Sequence, residues 1–418
     1  MLKISFILFV LFSLQVQAKT LSLEECITKA IQTHPDIKSA TLAVKQTKSG
    51  IDVAVSDYLP QVSLSAEYDA TRTYVLPQNG IFNTINDSGL QAGVTLNQKV
   101  WDFSKTTSYI EASKIQEAIA KLSLQDAKAL MSYNVKLQYE LIYVYKEAID
   151  VRKKDMQAKK ELYNQANSLV KLGMKTDADA SRFLSSYYIA EDNLAIAQAN
   201  YDKARLNLSS FIGEKVQGNI TLEDTLSTHK ISVTNTLLYK SILESNLGVA
   251  TLLKSVQKDE LLYKATKASH YGSLDMVASY NYQDTLNEYD STLLGITLKI
   301  PLYSGGRTSA LVQESFLERK KTEALLDAKE LALKQEFGSL IIDLARYEKT
   351  IQAKNAQLGS AQKTKVLLDA RYKEGLSTYI EVLDATFLLL DAKLGLLQEK
   401  YSKSSAINRI EYLQGKIL

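Results

Sequence analysis

The chain carries two hydrophobic patterns, one with a period of two residues and one with a spacing of three or four. In four segments apolar and polar side chains alternate, which is typical of β-strands with one apolar face. The alternating segments are 59–75, 90–97, 274–283 and 294–302. Turn-forming residues between them predict a loop from Pro77 to Gly89 and a turn at 286–290. The pattern therefore predicts two β-hairpins, one in each half of the chain.

Long stretches without proline predict four helices, at 104–172, 177–211, 306–374 and 378–413. A helix rises about 1.5 Å per residue, so the first of them would be roughly 100 Å long. Apolar or small residues recur at every third or fourth position, which predicts coiled-coil packing. The expected seam positions are Leu130, Tyr133, Leu137, Leu141, Val144, Ala148 and Val151 in the first helix and Leu383, Phe387, Leu390, Leu394, Leu397 and Tyr401 in the last.

The two halves of the chain repeat one plan. Residues 96–106 match 298–308, and residues 171–176 match 373–378, both at an offset of 202 positions (298 minus 96). Each half holds a helical stretch, a strand pair, a very long helix, a glycine-containing turn and another long helix. The predicted segments are a signal peptide at 1–18, a first repeat at 19–217, a linker at 218–240 and a second repeat at 241–418.

The first 18 residues have the composition of a secretory signal peptide. Lys3 precedes an apolar run from Ile4 to Leu14, and Ala18 stands at the expected cleavage site. This segment predicts an exported protein. The rest of the sequence holds no run of 18 apolar residues, so no transmembrane helix is expected.

Charge and side-chain inventory exclude several function classes. The formal net charge is +3, or +2 without Lys3, which gives no reason to expect nucleic acid as a partner. A single cysteine, Cys26, and three scattered histidines offer no metal site of familiar spacing. The sequence also lacks a phosphate-binding loop and a nucleophile elbow. We therefore predict no enzymatic activity, and the family resemblance described below implies no cofactor.

The strand segments suit either a membrane or a soluble sandwich. Their lengths are close to the 9–11 residues, roughly, that a tilted membrane-spanning strand needs. Aromatic residues at the helix-side ends fit an interfacial girdle, although aromatics favour strands in general. These residues are Tyr58, Trp101, Phe103, Tyr271 and Tyr303. If the strands span a membrane, several chains must share one barrel, because closure takes about eight strands at least.

Six short motifs occur in a defined order along the duplicated chain. They are LSLEECI at 21–27, HPDI at 34–37, YLP at 58–60, PLYSGGR at 301–307, EGLST at 374–378 and EVLDA at 381–385. In this set the chain resembles the TolC family of outer-membrane efflux and secretion channels, over essentially the whole mature sequence. The resemblance implies an α+β membrane protein with long antiparallel coiled-coil hairpins. Its four β-strands would be contributed to a shared 12-stranded trimeric β-barrel.

The same resemblance implies partners and a location. A homotrimer would contact lipid in the cell outer membrane and extend far into the periplasm. There it would meet a periplasmic adaptor (membrane fusion) protein and an inner-membrane pump. The implied function is a passive exit duct with a periplasmic gate, in a tripartite efflux pump or a type I secretion system.

The resemblance also assigns roles at the periplasmic tip. Glu381 and Asp384 match two acidic positions of the family's constriction, where three chains would place six carboxylates that attract cations and raise one another's pKa. A solvated helix face is the alternative interpretation of these two residues. Tyr372 matches a tyrosine that holds the tip closed, and Asp179 matches its usual partner. The sequence departs from the pattern at Ser377, where some members carry an arginine.

Two tip turns offer contacts for the adaptor. The expected contact residues are Gly173, Met174, Gly375 and Leu376, the glycines also serving as helix-turn residues. A second function stays open at this point, namely a periplasmic coiled-coil adaptor or scaffold without a pore. It would account for the long helices, but not for the hairpins or the duplication.

Overall fold

The structure, a computed structural model, describes residues 21–78, 81–216, 226, 235–285 and 287–417. The elements of the first repeat are α1 (Leu23–Thr33), α2 (Pro35–Ser56), β1 (Gln61–Gln78), β2 (Ile81–Trp101), α3 (Lys105–Lys171) and α4 (Asp177–Ile212). The elements of the second are α5 (Asn235–Ser245), α6 (Leu247–Ala268), β3 (Ser273–Thr285), β4 (Asn287–Lys299), α7 (Arg307–Lys373) and α8 (Tyr379–Leu413). The predicted signal peptide and most of the predicted linker lie outside the described residues.

The duplication is visible element by element. Helices α1 and α5 have 11 residues each, α2 and α6 have 22, and α3 and α7 have 67. The four predicted long helices are confirmed, with ends within one residue of the expected positions. Since the element order and the helix lengths agree, the internal duplication is structural as well as sequential.

A polar side chain caps the start of one short helix in each repeat, α1 in the first and α6 in the second. The Ser22 hydroxyl accepts a hydrogen bond from the Glu25 backbone N–H at the start of α1. The Asn246 side chain accepts one from the Val249 backbone N–H at the start of α6. Such N-caps satisfy backbone donors that have no partner inside the helix.

The strands form one antiparallel sheet in the order β1-β2-β3-β4. Leu64 lies opposite Val94, and Val94 lies opposite Tyr280, so these three side chains share a face. Continuing that register, the same face carries Val62, Ala66, Tyr68, Leu90, Ala92, Leu96, Leu274, Met276, Ala278, Tyr282, Leu294, Ile296 and Leu298. The predicted alternation is therefore confirmed, and it produces a single apolar face across four strands.

Both hairpin connections fall within the predicted segments but are much shorter than expected. The loop expected from Pro77 to Gly89 is strand for most of its length, because β1 continues to Gln78 and β2 begins at Ile81. The irregularity that its turn residues predict appears instead as a register shift between Asp69 and Arg72. In the second hairpin the expected turn at 286–290 is also strand from Asn287 onward. Cross-strand hydrogen bonds override the local turn preference of these polar residues.

The expected coiled-coil seams are displaced around the helices. On α3 the buried apolar side chains include Val135, Tyr139 and Ile142 as well as the expected Val144, whereas the expected Leu130 is exposed. On α8 Val382 and Ala385 are buried, and Phe387 is exposed. On α8 the alanines Ala385 and Ala392 lie on the buried side, where small side chains permit close helix packing, whereas the larger Phe387 faces outward.

Residues of the chain fall into two compact units. One unit consists of Met1–Lys38, Ala127–Ile242 and Lys334–Leu418, and the other of Ser39–Asp126 and Leu243–Leu333. Each unit thus takes segments from both repeats. The sheet belongs to the second unit and the two helical turns described next belong to the first.

Within the described residues, no helix has both the length and the apolar character needed to cross a bilayer.

Candidate functional site: the helical tip

The two long helices of each repeat are joined by a short turn that glycine makes possible. In the first tip turn (residues 172–176), Gly173 has a φ of 73°, and the Met174 N–H donates to the Leu169 carbonyl at 2.9 Å. In the second tip turn (residues 374–378), Gly375 has a φ of 76°, and Leu376 N–H donates to the carbonyl of residue 371 at 2.8 Å. Both are Schellman-type helix ends, which favour glycine because the left-handed backbone strains other residues.

Each tip turn is followed by a capping box at the start of the next helix. The Thr176 hydroxyl accepts from the Asp179 N–H at 3.3 Å, and the Asp179 carboxylate accepts from the Thr176 N–H at 3.2 Å. Thr378 and Glu381 repeat this arrangement at 3.3 Å and 2.6 Å. The predicted gate residues Asp179 and Glu381 therefore hold equivalent positions, and each carboxylate fixes its own helix terminus.

The capping bonds also set the charge state of Glu381. Hydrogen bonds from the backbone N–H of Thr378, and next from its hydroxyl, lower the pKa of Glu381. A ring of carboxylates was expected to raise pKa values, so within one chain the capping bonds act in the opposite direction. Glu381 is consequently held as a carboxylate, as a cation-attracting group requires.

Asp384, the second predicted gate carboxylate, lies one turn further along α8. It is exposed, and no ion pair to it is found among the described residues. Its neighbours Val382 and Ala385 are buried. The two acidic side chains therefore project from the exposed side of α8 while the buried side packs on the other hairpin.

An aromatic cluster joins the two hairpins just inside the tip turns. Phe183 and Tyr372 are fully buried, and their rings meet edge to face with centroids 5.8 Å apart. Tyr379 meets Phe183 in the same way at 6.0 Å. The buried core of this cluster consists of Leu162, Ala166, Ala180, Phe183, Tyr372 and Val382. All four long helices contribute, so the cluster fastens one hairpin to the other.

The predicted Tyr372–Asp179 pair is close but not hydrogen-bonded. The Tyr372 hydroxyl is buried with no hydrogen-bond partner among the described residues. Burial, and next the negative charge of Asp179, raises the pKa of Tyr372. Within one chain Tyr372 therefore acts through its ring, because the Asp179 carboxylate is engaged by Thr176.

Phe183 was missed by the sequence reasoning. It lies four residues after the capping Asp179 on α4, and no motif marks it. A signal existed in the spacing of Ala180 and Phe183, both buried one turn apart. Its partner Tyr372 is 189 positions away (372 minus 183), so a single sequence does not reveal the contact.

Two cations cover the exposed edge of the aromatic cluster. The Arg182 guanidinium lies 4.9 Å from the centroid of the Tyr379 ring, and the Lys175 ammonium lies 5.6 Å from that of Tyr372. Cation–π contacts of this kind stabilise by about 0.5–1 kcal/mol at exposed sites.

Ser377, the residue that departs from the family pattern, is buried. Its hydroxyl donates to the Leu368 carbonyl at 3.2 Å and so binds the end of α7. One Arg371 guanidinium nitrogen donates to the Leu376 carbonyl at 3.2 Å. The second tip turn is thus tied to its own helix, whereas an arginine at position 377 would reach outward.

The expected adaptor-contact residues stand at the outside of the tip turns. Met174 is 66 % exposed and Leu376 is 62 % exposed. Leu172, which was not predicted, is 73 % exposed beside them. Exposed apolar side chains on capped turns form a small apolar surface, the tip surface, defined by Leu172, Met174 and Leu376.

The strand-end aromatics form a separate group in the unit that holds the sheet. Trp101 stacks on Phe103 with centroids 4.4 Å apart, and Phe103 meets Tyr271 at 5.3 Å. The Tyr58 hydroxyl lies 3.0 Å from that of Thr107, and Tyr303 is 89 % exposed. The structure therefore brings three of the five predicted aromatics into one stack.

Among the described residues, no group of three or more histidine, cysteine, aspartate or glutamate side chains could hold a metal ion.

The match to a known protein family covers both repeats of the chain. The family described as "Outer membrane efflux protein" matches residues 26–214 and 238–416, one segment in each repeat. The chain is 22 % identical over 385 residues to the outer membrane efflux protein BepC of Brucella suis, covering 91 % of this chain and 82 % of BepC. It is 24 % identical over 413 residues to the outer membrane protein TolC of Escherichia coli, covering 94 % and 81 %. The solved structure of the outer membrane protein VceC of Vibrio cholerae matches with a TM-score of 0.82 at 14 % identity, covering 94 % and 96 %.

Proposed function

Because this chain belongs to the outer membrane efflux protein family, we propose that it is the exit duct of a tripartite efflux pump or a type I secretion system. The observation that carries the proposal is the family match to both repeats, each of which supplies one strand pair to a sheet with a continuous apolar face. Members of this family are channels, and a passive conduit needs no catalytic group. The energy for transport comes from the inner-membrane partner.

The apolar face of the sheet is the surface proposed to contact outer-membrane lipid. Leu64, Leu294 and Ile296 on it are exposed by 70 % or more in the single chain. Exposed aliphatic side chains in a regular array are costly in water and favourable against acyl chains. The stack of Trp101, Phe103 and Tyr271 then belongs at the lipid–water boundary, where aromatic rings are enriched.

The proposed channel is a homotrimer. In one chain β1 and β4 each pair on one side only among the described strands, and four strands are too few to close a barrel. Three copies would supply 12 strands. The trimer would stand in the outer membrane with its helices in the periplasm.

The helical tip is the proposed periplasmic gate. Glu381 and Asp384 would line the constriction and attract cations, with Glu381 held ionised by Thr378. Tyr372 would hold the two hairpins together through its ring, and Asp179 would fix the start of α4. The tip surface, together with Gly173 and Gly375, would meet the periplasmic adaptor protein, which in turn engages the inner-membrane pump.

The experiment that tests this function combines mass and conductance. The detergent-extracted protein is examined by light scattering and then inserted into a planar bilayer. We expect trimer-sized particles with a small, cation-selective conductance. A protein that extracts in buffer alone and never conducts would instead support the scaffold without a pore.

A further inference from the structure

The carboxyl group of Glu140, on α3, belongs neither to the helical tip nor to the sheet. Glu140 on α3 is 1 % exposed. Its Oε1 atom accepts hydrogen bonds from Ser404 Oγ at 2.9 Å and Asn408 Nδ2 at 2.8 Å, both on α8. Its Oε2 atom is buried without a hydrogen-bond partner among the described residues. Glu140 therefore connects a helix of the first repeat to a helix of the second, and half of its carboxyl group is unpaired.

The charges around Glu140 do not compensate a carboxylate. Lys136 lies one turn away on α3, but its ammonium is paired with Glu411 of α8 at 2.7 Å. The negative charge of Glu140 also contributes to raising the pKa of Tyr133 on α3 and of Tyr401 on α8. Burial raises the pKa of Tyr401 to about 12, so this phenol stays neutral and adds no charge beside Glu140. A carboxylate here would leave one oxygen desolvated and without a cation of its own.

Burial makes the carboxyl group of Glu140 a weaker acid. Desolvation raises the pKa of Glu140 from 4.5 to about 7, against the opposing hydrogen bonds from Asn408 and Ser404. A cavity of about 50 Å³ lies beside Asn408, one of the two donors to Glu140, and is also lined by Ser132 and Lys136.

We propose that Glu140 is a proton-binding site between the two repeats. Its carboxyl group is protonated while α8 packs on α3, and this helix contact weakens when the proton is lost. The hydrogen bonds from Ser404 and Asn408 to Oε1 suit a neutral carboxyl group whose O–H is on Oε2. The site is independent of the export function, because it concerns only the packing of α3 against α8.

The sign of the pH dependence follows from linkage. The folded state binds the proton more tightly than an open state in which Glu140 meets water. The stabilisation is therefore complete below about pH 4.5, declines as the pH rises toward 7, and is lost above that value. Acid tightens the contact between the repeats, and alkali loosens it.

Hydrogen exchange of the detergent-extracted protein tests the proposal. We expect the protection of amides around 404–408, corrected for the intrinsic rate of each amide, to fall by up to about 100-fold from roughly pH 5 to pH 8. Glu140→Gln is neutral at every pH and should abolish this dependence. Glu161→Gln, which alters an exposed glutamate of the same helix, should retain it.

A second variant keeps the test decisive if Glu140→Gln fails to fold. Ser404→Ala removes one donor to the carboxylate and should move the midpoint of the transition to higher pH. An infrared band of a protonated, buried carboxyl group should titrate with the same midpoint in the unaltered protein. Protection that is independent of pH, or an unmoved midpoint in Ser404→Ala, would overturn the proposal.

Discussion

The ring of Phe183 on α4 meets the ring of Tyr372 on α7 edge to face, at 5.8 Å between centroids and 69° between planes. This geometry places the positive edge of one ring against the negative face of the other and is worth about 0.5–1.5 kcal/mol beyond the burial itself. Both side chains are fully buried. The contact therefore joins the hairpins of the two repeats at the proposed gate.

Phe183→Ala should loosen the tip. Truncation of a buried phenylalanine costs about 3–5 kcal/mol, because contacts are lost and a cavity is left. We expect a larger single-channel conductance and faster hydrogen exchange at 177–190. Phe183→Leu keeps most of the buried volume and should give a smaller change in both. A conductance unaltered in Phe183→Ala would separate the aromatic cluster from gating.

Tyr372→Phe should leave the conductance unchanged. The buried hydroxyl of Tyr372 has no partner among the described residues, so its removal costs no hydrogen bond and can even stabilise. Tyr372→Ala, in contrast, removes the ring and should open the channel. If Tyr372→Phe opens it as well, the hydroxyl must gain a partner in the assembled trimer.

Glu381→Gln with Asp384→Asn should weaken cation preference and divalent-cation block. Glutamine at this position still accepts the hydrogen bond from the Thr378 N–H, so the start of α8 is preserved. Reversal potentials in a salt gradient give the selectivity. Asp202→Asn, which neutralises an exposed carboxylate on α4, is the matched control. Unchanged selectivity in the double variant would remove both residues from the gate.

Ser104→Gly should stabilise the protein, and Gly306→Ser should destabilise it. Ser104 has a φ of 68°, and its counterpart in the second repeat, Gly306, has a φ of 82°. No atom lies within 4 Å of a Cβ built on Gly306, so the substitution strains only the backbone. Each change should be worth about 1 kcal/mol. Thermal midpoints of the detergent-extracted variants measure it, and shifts of the same sign would contradict the argument.

Local signals predicted the helical tip well. Gly173 and Gly375 were predicted as helix-turn residues, and both stand in the turns that end α3 and α7. These features depend on a few neighbouring residues, so a sequence is sufficient to find them. The roles of Glu381 and Asp384 in gating depend on three assembled chains and stay a prediction.

Features set by distant partners were missed. The segment from Asp87 to Gly89 has turn composition, yet pairing of Asp87 and Gly89 with β1 holds it in β2. The burial of Phe183 and Glu140 depends on helices of the other repeat. Such contacts are decided by packing across the fold, which local propensity does not encode.

The edge strands β1 and β4 each pair on one side only among the described strands, and this affects how the protein assembles. Among the described strands of a single chain, each edge presents a row of backbone donors and acceptors next to an apolar face. Productive encounter with two sister copies competes with adhesion to any other exposed strand, and the outcome depends on concentration. The sheet edges of an unassembled monomer therefore need to be covered until the trimer forms. Assembly, rather than the finished channel, is the stage most sensitive to overproduction.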